Sequence, residues 1–565
     1  MKVLLVPVFF AVAALAAPLA SPVEFQDNLA FNSPIINYPS LAVTKPDHEL
    51  LRRQIQMGKP VPKPRPSPPS GPSKGAPRVP TVTFVHGVAS GDPLSDAVII
   101  WTKVTSKDTA IPVNYQVSTT ENFSTLVQNG TVVTTGDVDY TVKVDVKGLQ
   151  PTTTYYYRFV VETPSGTATS PVGKTHTLPT EDADIESYKL AVVSCSNLPQ
   201  GFFNAYNGIS RRTDVDVVLH LGDYIYEYGN KKYGDGTAIG RIPQPDKDIV
   251  TLSDYRTRHA QYKTDPDLQL AHRNVPWITV WDDHEFADNS WKDGAANHDP
   301  ATQGPWEARK LAAMRAYFEY MPIRSALIDG KGKIYRSFHV GKLLDLMMLD
   351  TRIIGRDKTD EKKDQVINAP GRTLLGAEQE SWLYNQLSES SQGGTKWRLL
   401  GNQVTFAPMK ILGQTTFGDS WDGYPASRAR LMSHLIDNNI HNTVVLTGDI
   451  HTAFAFDVPE NPYNPFKYGP ISGRGSVLVE FVGTSVTSPG AGFAAVAGLR
   501  LSQPHLKFGN GKDHGYMLVT VTEEKVSTEY VIVGAIDRRT RAEFTDAIVE
   551  TTSGSGRITS VQTFD

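Results

Sequence analysis

The sequence predicts an α/β chain of more than one domain, a small antiparallel β-sandwich followed by a larger core in which strands and helices alternate. Three observations predict it. Short β runs separated by turn residues fill about Thr83 to Leu178. From about Glu186 onward, apolar strands alternate with amphipathic helices. Four of those strands end directly in polar clusters rich in Asp, His, Tyr and Cys.

The elements follow in chain order. Met1-Lys2, an apolar run from Val3 to Leu15 and the small residues Ala16-Ala17-Pro18-Leu19-Ala20 read as a secretory signal over residues 1–20. The run is too short for a membrane span, and no later stretch is long enough for one. Residues 21–80 carry little apolar periodicity, and Gly58 to Pro80 is rich in Pro, Lys, Ser and Gly, as expected of an extended linker or removable pro-segment. Residues 83–178 form the sandwich, with strands at Ala97–Trp101, Val113–Val117, Thr141–Val146 and Tyr155–Val161. The run Leu149-Gln150-Pro151-Thr152-Thr153-Thr154-Tyr155-Tyr156-Tyr157 resembles the tyrosine corner of fibronectin type III domains, in which the first Tyr ties a loop to the chain through its hydroxyl. The catalytic domain is placed at 187–540, with a C-terminal tail at 541–565. Its strands are expected at 188–194, 216–222, 276–281, 343–349, 443–448 and 476–482, with late antiparallel strands near 516–521 and 528–533. Its helices are expected at 202–212, 252–263, 305–320, 377–389 and 427–437.

Composition narrows the function. With 565 residues and a formal net charge of −4, the chain can bury large cores but offers no basic field for nucleic acid or an anionic membrane. Asn122-Phe123-Ser124 and Asn129-Gly130-Thr131 are glycosylation sequons suited to a eukaryotic secretory route. The expected location is therefore extracellular, with cell-wall retention and vacuolar delivery as alternatives. The single cysteine, Cys195, cannot form an internal disulfide. At a strand end of an exported protein it is a buried bystander, a metal ligand or a nucleophile.

The four clusters favour the metal. They are Ser194-Cys195-Ser196-Asn197, then Gly222-Asp223-Tyr224-Ile225-Tyr226-Glu227-Tyr228, then Asp282-Asp283-His284-Glu285 with Asp288 and Asn289, and finally Gly448-Asp449-Ile450-His451. In open α/β sheets ligands gather where strands end. Carboxylates can bridge two cations, and a thiolate with a phenolate suits a strongly acidic ion such as ferric iron. The bland reading of each cluster is a helix cap or a solvated turn. All four would have to be bland together, each directly after a hydrophobic strand.

In this order the clusters, with Leu349-Asp350-Thr351-Arg352 and the upstream His86-Gly87-Val88-Ala89-Ser90-Gly91-Asp92-Pro93, resemble the PhoD-type alkaline phosphatases of the calcineurin-like metallophosphoesterase superfamily. The resemblance covers about Thr83 to Val533. It implies an Ig/fibronectin III-like sandwich before a calcineurin-like αββα core that holds Fe3+ beside Ca2+. Carried over by position, Cys195, Tyr226 and His451 ligate iron, Asp223 bridges, and Asp283, Asn289 and Asp449 serve the calcium side. His284 contacts substrate as a proton donor, and Arg352 either neutralises phosphate or braces a loop. Cys195 departs from the Asp-x-His pair usual in the superfamily, and Asp283 stands where many members have Asn.

The implied activity is hydrolysis of small phosphate monoesters by a metal-activated water. A phosphodiesterase or phospholipase D-like activity at the same metals is the alternative, decided by a substrate rim for which the inserts 229–250 and 354–375 are candidates. Two alternatives come from other classes: a cysteine hydrolase pairing Cys195 with His451 or His284, and a non-catalytic wall-associated binding protein. Oligomeric state and the physiological ester are not legible in the sequence.

Overall fold

A computed structural model describes residues 25–32, 46, 82–106, 110–164, 166–324, 332–359, 363–411, 414–415 and 418–564. The expected signal at 1–20 and nearly all of the expected linker at 21–80 lie outside these residues. The exception within the linker is 25–32, which is packed rather than extended. Phe25–Gln26 adds a parallel strand beside Thr131 and Val132, and the Asn28 amide donates to the carbonyls of Val133 (3.1 Å) and Thr141 (3.0 Å).

Among the described residues, the first sheet has six strands, in which Ala110–Ser118 lies between Leu126–Thr135 and Thr154–Thr163. Alternate residues Ile111, Val113, Tyr115 and Val117 face inward, the period-two signature of a half-buried strand. They pack on Val98, Ile100, Val142 and Val144, which belong to a different sheet. The tyrosine corner forms as expected, with the Gln150 amide donating to the Tyr155 hydroxyl at 2.8 Å.

The second sheet has ten strands and does not respect the expected boundary at residue 178. Its middle runs parallel through Ser187–Val193, Val217–His220, Trp277–Thr279 and Val88–Gly91. The sandwich strands Val88–Gly91, Ala97–Lys103 and Thr141–Lys147 therefore extend the catalytic sheet, and the two expected domains share it. Gly515–Thr522 and Lys525–Val533 pair antiparallel, as expected. The expected tail is different: Glu543–Thr552 and Ile558–Thr563 are the outermost strands on that side. Ala547, Val549 and Thr551 point inward at period two, so the segment has a face to bury and joins the sheet.

A third, seven-stranded sheet packs against the second. Its central strands are buried on both faces. Leu346, Leu399, Val444 and Phe481 join the core shared with the ten-stranded sheet. Their neighbours Met347, Leu400, Val445 and Val482 join a separate core with Leu383 and Leu387 of helix Ala377–Gln392 and Leu431 and Leu435 of helix Pro425–Asp437. Burial on both faces is why these strands read as unbroken apolar runs. The product is helices, two sheets, helices, with the sandwich grown on one side.

The tyrosine corner is testable. Tyr155 is 2% exposed, and Tyr155→Phe leaves the Gln150 amide without its partner. We expect urea unfolding to show a loss of about 0.5–1.5 kcal/mol, the net worth of one hydrogen bond. A loss below about 0.5 kcal/mol would mean that the hydroxyl does not hold the corner.

Candidate metal centre

The centre is assembled where strand ends of the two packed sheets meet. Cys195 follows Ser187–Val193, Asp223 follows Val217–His220, Asp283 follows Trp277–Thr279, and Asp449 follows Thr443–Thr447 of the other sheet. The turns are cross-tied. Cys195 N donates to Gly222 O at 3.2 Å, Ser196 N to Asp223 O at 2.9 Å, and Val486 N crosses to Ser194 O at 3.0 Å. Gly222 must be glycine: at φ +105° its missing Cβ would lie 2.5 Å from the Asp282 backbone nitrogen. Five site residues sit in the left-handed region, Cys195 (φ 64°), Asp223 (54°), Asn289 (49°), Asp449 (62°) and His451 (57°). Such a backbone costs about 1–3 kcal/mol for a non-glycine residue and persists only where the surroundings enforce it.

Three groups of side chains converge. Ligand atoms of Cys195, Asp223 and His451 lie within 4.8 Å of one another, as do those of Asp223, Asp283 and His284, and those of Asp282, Asp283 and Asp449. Asp223 belongs to the first two and Asp283 to the last two, so the groups form one chain of donors. The Tyr226 hydroxyl donates to Asp223 Oδ2 (2.9 Å), lies 3.2 Å from His451 Nε2, and receives the Ser488 hydroxyl at 2.7 Å. Asn289 comes close through its backbone, whose N–H donates to Asp283 Oδ2 at 2.6 Å.

Arg352 is placed as a brace. Its guanidinium is fully buried and bonds Asp282, Asp419 (2.7 Å) and Asp449 (2.5 Å), with Asp283 at 3.6 Å. Asp350 fixes it by accepting from the Arg352 amide (2.9 Å) while taking the Trp281 indole N–H (3.0 Å). No guanidinium face is left for bidentate capture of phosphate, so of the two sequence-level roles the geometry takes bracing.

His284 is a held imidazole. Its Nδ1 is 2.7 Å from Glu227 Oε2, and the other oxygen of Glu227 accepts from Asp288 N (2.7 Å) and the Asn297 amide (2.6 Å). Burial works against a charged imidazole, but Asp283, Glu227 and Asp223 outweigh it and hold His284 well above its ordinary pKa. His451 goes the other way: burial, then the nearby His284, push it down to about 3 and leave it neutral, with Nδ1 3.2 Å from Pro489 O. Burial also pushes Asp223 well up and Asp449 up to about 7, while Arg352 and His284 overcome burial to hold Asp283 down.

Cys195 is 0% exposed, and burial and then Asp223 push its thiol well above the ordinary range. That opposes a free nucleophilic thiolate, as the cysteine-hydrolase alternative requires. A bound cation reverses this logic and deprotonates a coordinating thiol. The donor set fits cations on its own evidence. Asp282 Oδ2 and Asp283 Oδ1 are buried oxygens with no hydrogen-bond partner, in a cluster whose acceptors outnumber its donors.

Sequence reasoning passed over several residues here. Glu227 lies inside a quoted run, and only its burial shows that it orients His284. Asp419 follows no predicted strand and carries no local signal. Tyr233, on the 229–250 insert, reaches His451 Nδ1 at 3.4 Å. Glu285, a helper without an assigned role in the sequence, is a clamp, accepting from the amides of Asp223 (3.1 Å), Tyr224 (2.6 Å) and Asp282 (2.8 Å) and so locking two strand ends together. Glu285→Ala orphans three buried amides. At about 1–3 kcal/mol each, we expect a loss of at least ~3 kcal/mol in unfolding, and unchanged stability would contradict the clamp.

The similarities to known proteins agree with this geometry. A model of the PhoD-like phosphatase family matches residues 190–530, and a model of the PhoD-like phosphatase N-terminal domain matches residues 70–179. The chain is 38% identical over 488 residues to alkaline phosphatase D of Bacillus subtilis, a match that covers 81% of this chain and 79% of that protein. A solved structure of PhoD superposes with a TM-score of 0.78 at 34% identity, covering 87% of this chain and 94% of that one. The purple acid phosphatase PPD1 from yellow lupin seeds superposes with a TM-score of 0.52 at 14% identity, over 82% of this chain and 74% of that one, a likeness of fold alone.

Proposed function

The chain belongs to the PhoD-like phosphatase family and is a metal-dependent phosphoric ester hydrolase, and on that premise we propose that it hydrolyses small phosphate monoesters at the strand-end centre. The observation that carries the reading is the continuous chain of donors from Cys195 through Asp223 and Asp283 to Asp449.

Cys195, Tyr226 and His451, with Asp223, would hold one cation. Thiolate, phenolate and imidazole together suit ferric iron. Asp223, Asp283 and Asp449 offer oxygen donors that suit calcium, and Asn289, whose N–H holds Asp283, would complete that side. Two such cations, when bound, would supply Lewis-acid charge to the phosphoryl group and an acidified water.

The rest belongs to the chain's own residues. Asp223 joins the two halves of the centre. Glu227 holds His284 by Nδ1 and stabilises its protonated form, which leaves Nε2 to give a proton to the departing ester oxygen. Arg352 keeps Asp282, Asp419 and Asp449 in place without touching substrate. Ser488 and the Pro489 carbonyl orient Tyr226 and His451.

We further infer export. The charged start and short apolar run support it, and both sequon asparagines, Asn122 and Asn129, are exposed. Secretion in a eukaryotic host should yield protein that begins after the signal and loses mass on endoglycosidase treatment. Retention inside the cell would contradict this.

The monoesterase reading is tested with p-nitrophenyl phosphate against bis-p-nitrophenyl phosphate. We expect faster monoester turnover, abolished by prolonged chelation and restored by iron with calcium. Asp223→Asn should cost more than the roughly 10–100-fold typical of losing an outer-shell partner of a metal site. Faster diester turnover would move the assignment to a phosphodiesterase, and full activity in Asp223→Asn would remove the centre from the chemistry.

A further inference from the structure

The aromatic side chains around the buried His284 set what the leaving group meets. Whatever the departing oxygen carries must lie against the side chains that rim the centre next to His284. That imidazole stacks at 4.3 Å and 30° on Tyr226, which is 2% exposed and itself lies 5.8 Å from Tyr233. The other aromatic neighbours are Tyr233, stacked at 6.0 Å and 17°, and Tyr228, tilted at 5.6 Å and 57°. These two lie 5.8 Å apart, and both are only half-buried.

Tyr233 is no loose surface residue. Its carbonyl receives the Asn197 amide at 2.7 Å, two residues from Cys195. Its turn is closed by Lys231 N to Gly234 O (2.8 Å) and Gly236 N to Asn230 Oδ1 (2.9 Å). Its hydroxyl rests 3.4 Å from His451 Nδ1. The ring is thus fixed at both ends and, being only half-buried, keeps part of its surface open beside His284 and His451.

We propose that Tyr233, backed by Tyr228, is the platform for the leaving group, and that it selects esters with flat aromatic leaving groups, aryl or nucleoside, over alkyl phosphates. This rests on the phosphatase reading and on the place of Tyr233 beside the centre, against His284 and His451. A fixed tyrosine face offers a planar group offset stacking beyond area burial, and offers an alkyl chain only area. The ring, not the hydroxyl, carries the preference, so phenylalanine replaces tyrosine and leucine does not.

The test compares kcat/KM for phenyl phosphate, a nucleoside 5′-monophosphate and glycerol 2-phosphate in the metal-loaded full chain, in Tyr233→Leu and in Tyr233→Phe, with metal content measured in each. Binding is read separately as the ratio of inhibition constants for phenylphosphonate and methylphosphonate. We expect the phenyl-to-glycerol and nucleoside-to-glycerol ratios to fall about 3- to 10-fold in Tyr233→Leu, the size of one aromatic pair, and to be kept in Tyr233→Phe. The phenyl-to-methylphosphonate preference should fall with them. Ratios that do not move in Tyr233→Leu, or that collapse equally in Tyr233→Phe, would overturn the platform while leaving the phosphatase assignment intact. A metal-loaded wild-type chain that turns over none of the three esters would overturn that assignment, and this inference with it.

Discussion

The centre depends on one constraint, the amount of negative charge that the fold holds out of water at one place. Asp223, Asp282, Asp283 and Asp449 come together among buried strand ends, and Cys195 and Tyr226 are acids beside them. The cationic side chains in contact with this cluster are Arg352 and a His284 imidazole held protonated by the same carboxylates. Each buried ion carries an effective penalty of several kcal/mol unless it is paired and hydrogen-bonded. The cluster is therefore built for added positive charge, and the raised Asp223 and Asp449 carboxyls express the same deficit in protons.

The fold can impose this because the strained parts are short and the rest is rigid. The left-handed turns at Cys195, Asp223 and Asp449 follow strands buried in the shared core, and Glu285 ties the Asp223 turn to the Asp282 strand end by their amides. The loop after Ser476–Val482 crosses between the sheets to reach Ser194 and brings Ser488 to Tyr226. Neither sheet alone holds a complete donor set: Cys195, Asp223 and Asp283 come from one, and Asp449 and His451 from the other. Pressing the sheets together by apolar burial is what assembles the centre.

Much of this was legible in the sequence because the signals were periodic or local. Apolar runs such as Val217–Leu221 and Val444–Thr447 mark strands, and the polar residues after them mark the site. The Leu149 to Tyr157 run foretold the corner that Tyr155 makes. What escaped was set by tertiary contact. Strands Ala97–Lys103 and Thr141–Lys147 look like part of a separate sandwich, because only pairing of Val88–Gly91 with Trp277 joins them to the catalytic sheet. Residues 543–563 are largely polar on the outer face and read as a tail until an edge is available to them. Arg352 reads equally as a phosphate ligand or a brace, because its motif says nothing of Asp419, which arrives from 67 residues away. Glu227 and Glu285 sit inside recognisable runs, yet only burial separates them from ordinary surface acids.

The central claim is that these strand ends hold two unlike cations, one of them bound by a thiolate and a phenolate. Elemental analysis of the protein purified without added metal, with its visible spectrum recorded alongside, tests this most directly. The account predicts iron and calcium in about equal amounts, with a broad charge-transfer band that Tyr226→Phe or Cys195→Ser displaces. Zinc or manganese without that band would contradict the roles of Cys195 and Tyr226, and protein that carries no metal while fully active would contradict the centre itself.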